Sequence, residues 1–481
     1  MVLKNTVTIT FVSLLVIVGY VSCKKNWNGH DAITDNNVKN NLYQGIKATP
    51  TLSKFADLLV KSGYDKVISS SKTYTVWAPN DAALASLDPA IIADSNKLKL
   101  FVSNHISNQE YLAGAPSQRI KMLNGKFNIF TGTTFDSANV VTPNQYANNG
   151  VFHVIDKFIP RIDNIWEFIK NNPSVAPLMT SFLLSLNRTV FDPTHATQTG
   201  VDPVTGLPVY DTTSGLTTRN GFLDSAIDVT DETNQYTMIL LTDASYTTEF
   251  NKLKPWFKTN SIDSTNRLTG YWLVKDLVFK GMYTIAQLPD TLLSKDSVKV
   301  PINKPSIVAT YKTSNGVIYV MSQVNFTLAY KFPPIIIQGE NPTGFLADRS
   351  SNTYFRIRNN PLTGLNYEDI LITNYNLANY WVQYRVRGLN SMRYNAYWVA
   401  VNDIQSTPLW NQKLAVDSAN NPTAFPYVTV AYQNYNEVSL GQFALTNYRK
   451  VDLYVVGPTT ASNGGNVDAI VLDYIKLVPA F

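Results

Sequence analysis

Hydrophobic residues fall at helical spacing early in the chain and alternate with polar ones near its end. Leu52, Phe55, Leu58 and Leu59 mark one face of a helix, and Gly63 follows as a stop. Residues 74–78 read as a strand, after which Pro79-Asn80-Asp81 turns the chain into a short helix that Asn80 or Asp81 can cap. A helix is predicted around residues 97–105, then several strands, the last being the alternation at residues 151–155 after Asn149-Gly150. From about Ile335 the pattern changes. Strand-like runs at 354–358, 380–387, 394–401, 428–432, 451–456 and 469–478 are separated by Asn, Gly, Pro and Ser. In residues 380–387, Tyr380, Val382, Tyr384 and Val386 form one face, while Trp381, Gln383, Arg385 and Arg387 form the other. Short mixed helices and strands predict α+β, and the closing region predicts an antiparallel β-sandwich.

The α+β pattern occurs twice. Asn149-Gly150-Val151-Phe152-His153-Val154-Ile155-Asp156 returns as Asn315-Gly316-Val317-Ile318-Tyr319-Val320-Met321-Ser322. Upstream, the strand from Tyr74 through Asp81 is echoed from Tyr236 through Asp243. Matched landmarks in matched order predict a duplicated domain. Aligning Tyr111 with Tyr283 puts Leu277 where the first copy has His105, and Tyr319 where it has His153. The second copy also carries an insertion, residues 187–234, rich in Thr, Asp, Gly and Pro, which reads as a long loop. Its Asp202-Pro203-Val204-Thr205-Gly206 is a turn signal with too few alternate carboxylates for a calcium loop.

A length of 481 residues predicts about three domains. Charged residues are 16% and the net charge is +5, with the basic residues scattered, so no nucleic-acid footprint is expected. The single cysteine, Cys23, rules out a disulfide within the chain. It follows a positive n-region at Lys4, an apolar run at residues 7–21 and the small residue Ser22. This resembles the lipobox of bacterial lipoproteins, with Tyr20 where that family usually has Leu. The resemblance implies a signal peptide at residues 1–23, lipidation of Cys23, and a polar, Asn-rich tether at residues 24–41. The protein is then expected to be exported and held by lipid at the bacterial outer membrane, exposed on the cell surface.

Residues 75–83, Asn104-His105 and residues 149–156 resemble the first, middle and last motifs of a fasciclin domain, with Asn104 in place of the usual Tyr. The similarity implies fasciclin-like domains at 42–160 and 161–333, with Asn80, Asp81, His105 and His153 as motif residues of the first. Fasciclin domains are extracellular adhesion modules, so the resemblance implies contact with a glycan or a surface protein.

The ending at residues 468–479 resembles the last strand of jelly-roll carbohydrate-binding modules, making 334–481 a jelly-roll-like domain. That resemblance implies a structural calcium on Glu340 of the first strand and Asp473 of the last; no other cofactor is expected. Glycan binding by such modules stacks aromatic rings on sugar faces, which nominates Trp381, Tyr397, Trp398 and Trp410, with Arg385 beside Trp381. Core packing is the competing role for each ring.

No HExxH, GxSxG elbow, P-loop or GxGxxG after a strand is present, and His153 and Asp156 fall on opposite faces of a strand, so no enzyme is expected. The leading expectation is a non-catalytic surface lipoprotein that captures glycan, accessory to an outer-membrane polysaccharide uptake system. The rival is an adhesin or scaffold that binds a protein partner through the fasciclin domains. Trp381 and Trp410 exposed together on one side would favour the first, and buried rings the second.

Overall fold

The computed structural model describes residues 39–421, 425–458 and 468–481. The lipobox and most of the tether lie outside the described residues. The described residues form two compact units: those of 39–164 with 231–233 and 313–315, and those of 165–230 with 234–312 and 316–481. The boundary expected at residue 333 therefore falls inside one unit.

In the first unit, helix Ser53–Ser62 buries Phe55, Ala56, Leu58, Leu59 and Ser62, and Gly63 ends it at φ 79°. A capping box between Asn41 and Gln44 starts helix Leu42–Ala48. Strand Tyr74–Pro79 is the hinge of the sheet: it pairs parallel with Gly150–Ile155 and antiparallel with Ile106–Ser107. The helices bury Leu52, Phe55, Leu59 and Phe101 against one side of this strand pair. Around Trp77 a second cluster collects Ile120, Phe130, Phe135 and Ile155.

The second unit repeats the scheme. Tyr236–Leu241 pairs parallel with Gly316–Met321 and antiparallel with Val278–Lys280. The register is the same in both copies: Tyr74 opposes Gly150, and Tyr236 opposes Gly316. A Cβ on Gly150 would stand 1.9 Å from the Tyr74 carbonyl oxygen, and one on Gly316 would stand 2.0 Å from that of Tyr236. Glycine is thus required for the strands to approach, which is why the Asn-Gly landmark recurs.

The insertion at 187–234 is not a loop. Strand Asn187–Phe191 pairs with Leu216–Asn220, and Gln198–Val201 pairs with Pro208–Tyr210, two pairs nested in sequence ahead of helix Gly221–Ser225. Gly200 and Pro208 lie within the inner pair, opposite Val209 and Val201, while Pro203 and Gly206 sit at its turn. Asp202 accepts from the Val204 and Thr205 amides, and Gly206 takes φ 69°, so residues 202–206 form the expected turn.

Residues 335–480 of the same unit form the β-sandwich, made of strands in several sheets. First strand Ile335–Gln338 pairs with last strand Tyr474–Ala480, which also pairs with Arg393–Val399. Trp381–Leu389 pairs with Arg449–Val456 in the opposing layer. Tyr380, Val382 and Tyr384 are fully buried, as the alternation requires. One hydrophobic core continues from the second repeat into the sandwich. Phe257 packs on Tyr448 with ring centroids 5.9 Å apart, and the Ser391 amide donates to the Trp256 carbonyl at 3.0 Å.

A carboxylate cleft on the sandwich

The motif residues of the first repeat serve the backbone. Asn80 accepts from the Ala83 amide at 2.8 Å, the cap the sequence suggested. Asp81 caps a different helix: its Oδ1 accepts from the Lys54 amide and its Oδ2 from the Ser53 hydroxyl. Asp243 does the same for helix Pro177–Ser185, accepting from the Leu178 amide at 2.9 Å.

Both histidines are spent on main-chain groups. His105 Nδ1–H donates to the Phe101 carbonyl, and its Nε2 accepts from the Ile159 amide, each at 3.0 Å. His153 Nε2–H donates to the Tyr111 carbonyl at 2.8 Å, and its Nδ1 accepts from the Asn144 amide at 3.2 Å. Each ring is therefore a neutral tautomer with both nitrogens satisfied. Burial pushes His105 down to about 4 and lowers His153 as well. A proton relay has no free nitrogen to use on either ring.

In the sandwich, Trp398 is 1% exposed and Trp410 is 3% exposed. Neither ring can stack on a saccharide, so both are corrected to core residues. Trp398 lies on the inward face of strand Arg393–Val399, and Trp410 packs just before Asn411–Val416. Trp381 and Tyr397 are half-buried. Trp381 rests edge-on against Tyr454, with centroids 5.2 Å apart. Arg385 is exposed on the same face and bonds to Asp452 at 2.8 Å. Trp381 and Trp410 are therefore not exposed together on one side.

What the fold does bring together is Glu340 with Asp473. Gln338 opposes Tyr474 at the end of the first strand. The Gly339 amide then donates to the Asp473 carbonyl at 2.6 Å, and a Cβ on Gly339 would stand 2.0 Å from the Leu472 carbonyl oxygen. Glu340 follows directly. Asp473 sits at the break between strands Ala469–Leu472 and Tyr474–Ala480.

Both carboxylates line an open cleft of about 770 Å³. Ile336, Ile357 and Leu365 supply exposed apolar walls, and Tyr367, Glu368 and Asn366 add polar groups from hairpin Thr353–Asn359/Asn366–Thr373. This hairpin contribution escaped sequence reasoning, because nothing local links residues 357–368 to the chain's last strand.

The electrostatics of the cleft are uncompensated. Burial, then Asp369, then Glu340 push the Asp473 carboxyl up to about 7. Asp369 is itself neutralised by Arg356, which bonds it through two nitrogens at 2.8 and 2.6 Å. Glu340 Oε2 is buried without a hydrogen-bond partner. Two crowded carboxylates with an orphan oxygen suit a hard divalent cation. Among the described residues there is no cluster of three or more His, Cys, Asp or Glu side chains that could hold a metal. A cation here would need carbonyl, carboxamide or water oxygens as well.

No curated protein matches the chain. Among solved structures, it is similar to the FAS1 domain pair of the insect cell adhesion molecule Fasciclin I at 13% identity, covering 59% of this chain and 99% of that one, with a TM-score of 0.22. A family 35 carbohydrate-binding module from Clostridium thermocellum is similar at 16% identity over 31% of this chain and 100% of that one, TM-score 0.22. A family 36 module solved with calcium and xylotriose is similar at 12% identity over 30% and 98%, TM-score 0.21. Residues 50–160 match the family model of the Fasciclin domain, and with it the three sequence motifs and the helix-and-strand fold of the first unit fall into place.

Proposed function

We propose that this is a non-catalytic cell-surface protein for adhesion through saccharide capture, held to the outer membrane by lipid at Cys23. Capture occurs at the sandwich cleft, where a calcium ion bridges Glu340 and Asp473. The carrying observation is the pairing of a buried, unpartnered Glu340 oxygen with a carboxyl at Asp473 pushed up to about 7. Oxygen ligands on calcium can be completed by saccharide hydroxyls, while the apolar walls and Tyr367 take a sugar face. Service to a polysaccharide uptake system is consistent with this placement.

The test is calorimetry of the full chain against a panel of neutral polysaccharides, with calcium and then with chelator. Saturable binding that disappears with chelator, and in Asp473→Asn, supports the reading. Silence across the panel from a folded, calcium-loaded protein would defeat it. A second reading, adhesion to a protein partner through the fasciclin domains, draws on the burial of Trp398 and Trp410, which removes the expected sugar-stacking rings.

A further inference from the structure

A separate surface on the second repeat is built for anions. Segment 254–257 and helix Ile262–Val274 enclose two adjoining grooves of about 360 and 420 Å³, and Lys254 lines both. Lys258 lies in the first groove and Arg267 in the second. No carboxylate lines either groove among the described residues. None of the three cations has an ion-pair partner among the described residues, unlike Arg188, Arg219 and Lys252; Lys254 Nζ lies 5.9 Å over the Phe250 ring. Cations left unpaired along a concave path raise the local concentration of anions.

The rest of the lining distinguishes among anions. Phe182 and Phe250, both half-buried, present ring surface in the second groove. Carboxylate or sulfate groups answer the cations, and the Phe182 ring answers an apolar sugar face. A ligand that repeats negative charge along a chain of apolar ring faces is an acidic polysaccharide. Two grooves joined at Lys254 suit a chain of sugars better than one residue.

We propose that this double groove binds an acidic polysaccharide bearing carboxylate or sulfate groups, independently of the sandwich cleft. Lys254 bridges successive charged sugars, and Lys258 and Arg267 hold the flanking charges. The chain then has two saccharide contacts of different chemistry, one requiring calcium and one not.

The full chain is titrated in chelator with polygalacturonate, with a sulfated galactan, with neutral xylan and with poly-glutamate. The acidic polysaccharides bind and weaken as salt rises. The double variant K254A/R267A loses about tenfold in affinity with unchanged melting temperature. Poly-glutamate binding as tight as polygalacturonate overturns the saccharide assignment. Undiminished binding by folded K254A/R267A overturns the site, as does failure of every acidic polysaccharide to bind. Chelator removes binding at the sandwich cleft, so failure of that reading leaves these outcomes intact.

Discussion

The Tyr319 hydroxyl donates to the Tyr283 carbonyl at 2.7 Å. In the first repeat His153 makes the same bond to the Tyr111 carbonyl at 2.8 Å. The surroundings match as well. The Tyr111 amide donates to the Thr75 hydroxyl, which donates to the Gln109 carbonyl; the Tyr283 amide and Thr237 hydroxyl repeat this with the Gly281 carbonyl. The position therefore needs a donor of suitable reach, and imidazole and phenol both meet the need. His153→Phe is expected to cost the first unit about 1–3 kcal/mol by leaving a carbonyl and an amide unpaired, and His153→Tyr less. Urea denaturation followed by fluorescence gives the comparison; equal losses would contradict the donor role.

Acid should act on the first unit. His105 titrates at about 4 when folded and near 6.5 when unfolded. Below the higher value the unfolded chain binds a proton that the folded chain refuses, so stability is full above about pH 6.5 and falls as pH drops toward 4. The His105 contribution is about 3 kcal/mol, and lowered His153 adds in the same direction. Leu277 and Tyr319 stand at the equivalent positions of the second repeat and carry no such penalty. Melting followed from pH 7 to pH 4.5 should show an early transition moving down; a first-unit transition constant over that range would refute the assignment.

Calcium should stabilise the second unit. The cation relieves the repulsion between Glu340 and Asp473, and binding to the folded state alone raises stability by about 2.7 kcal/mol at a hundredfold excess over Kd. Asp473→Asn should raise the melting temperature in chelator, because it removes a buried crowded charge, and should abolish the calcium response. A melting curve indifferent to calcium would argue against the site.

Trp410 and Trp381 should separate cleanly in their effect on stability. Trp410→Ala removes a core ring and should cost about 3–5 kcal/mol. Trp381→Ala should cost less, since Trp381 is half-buried against Tyr454. Denaturant midpoints of the two variants decide the order.

Gly150→Ala and Gly316→Ala should each cost about 3–5 kcal/mol, because a new methyl would meet main-chain carbonyls that cannot rotate away. Little loss in either would mean that the parallel pair can widen.

Much of this was legible in the sequence because the repeats place the same demands on the backbone. The Leu277 alignment holds at the main chain: the Ile239 amide donates to the Leu277 carbonyl as the Trp77 amide does to that of His105. Strand alternation likewise put Tyr380, Val382 and Tyr384 in the core. The insertion reads as a loop because its short pairs carry Gly200, Pro208 and several polar residues inside the strands, which gives them the composition of a loop. Trp410 was misplaced because a ring just outside a strand has no alternation to fix its face. The cleft was half visible, since its carboxylates come from the two terminal strands while its apolar walls depend on a distant hairpin. The groove at Lys254 was missed because Arg267 joins Lys254 and Lys258 only when segment 254–257 meets helix Ile262–Val274.

The pairing of Ile335–Gln338 with Tyr474–Ala480 has a consequence for the order of events during synthesis. The first unit's parallel pair is complete once Ile155 has left the ribosome, while most of the chain is still unmade. The sandwich cannot close until its final strand emerges. Until then Ile335, Ile336 and Ile337 present an open strand edge, the kind of surface that invites pairing with another chain. Chaperones would have to shield those isoleucines for the time it takes to translate the whole domain.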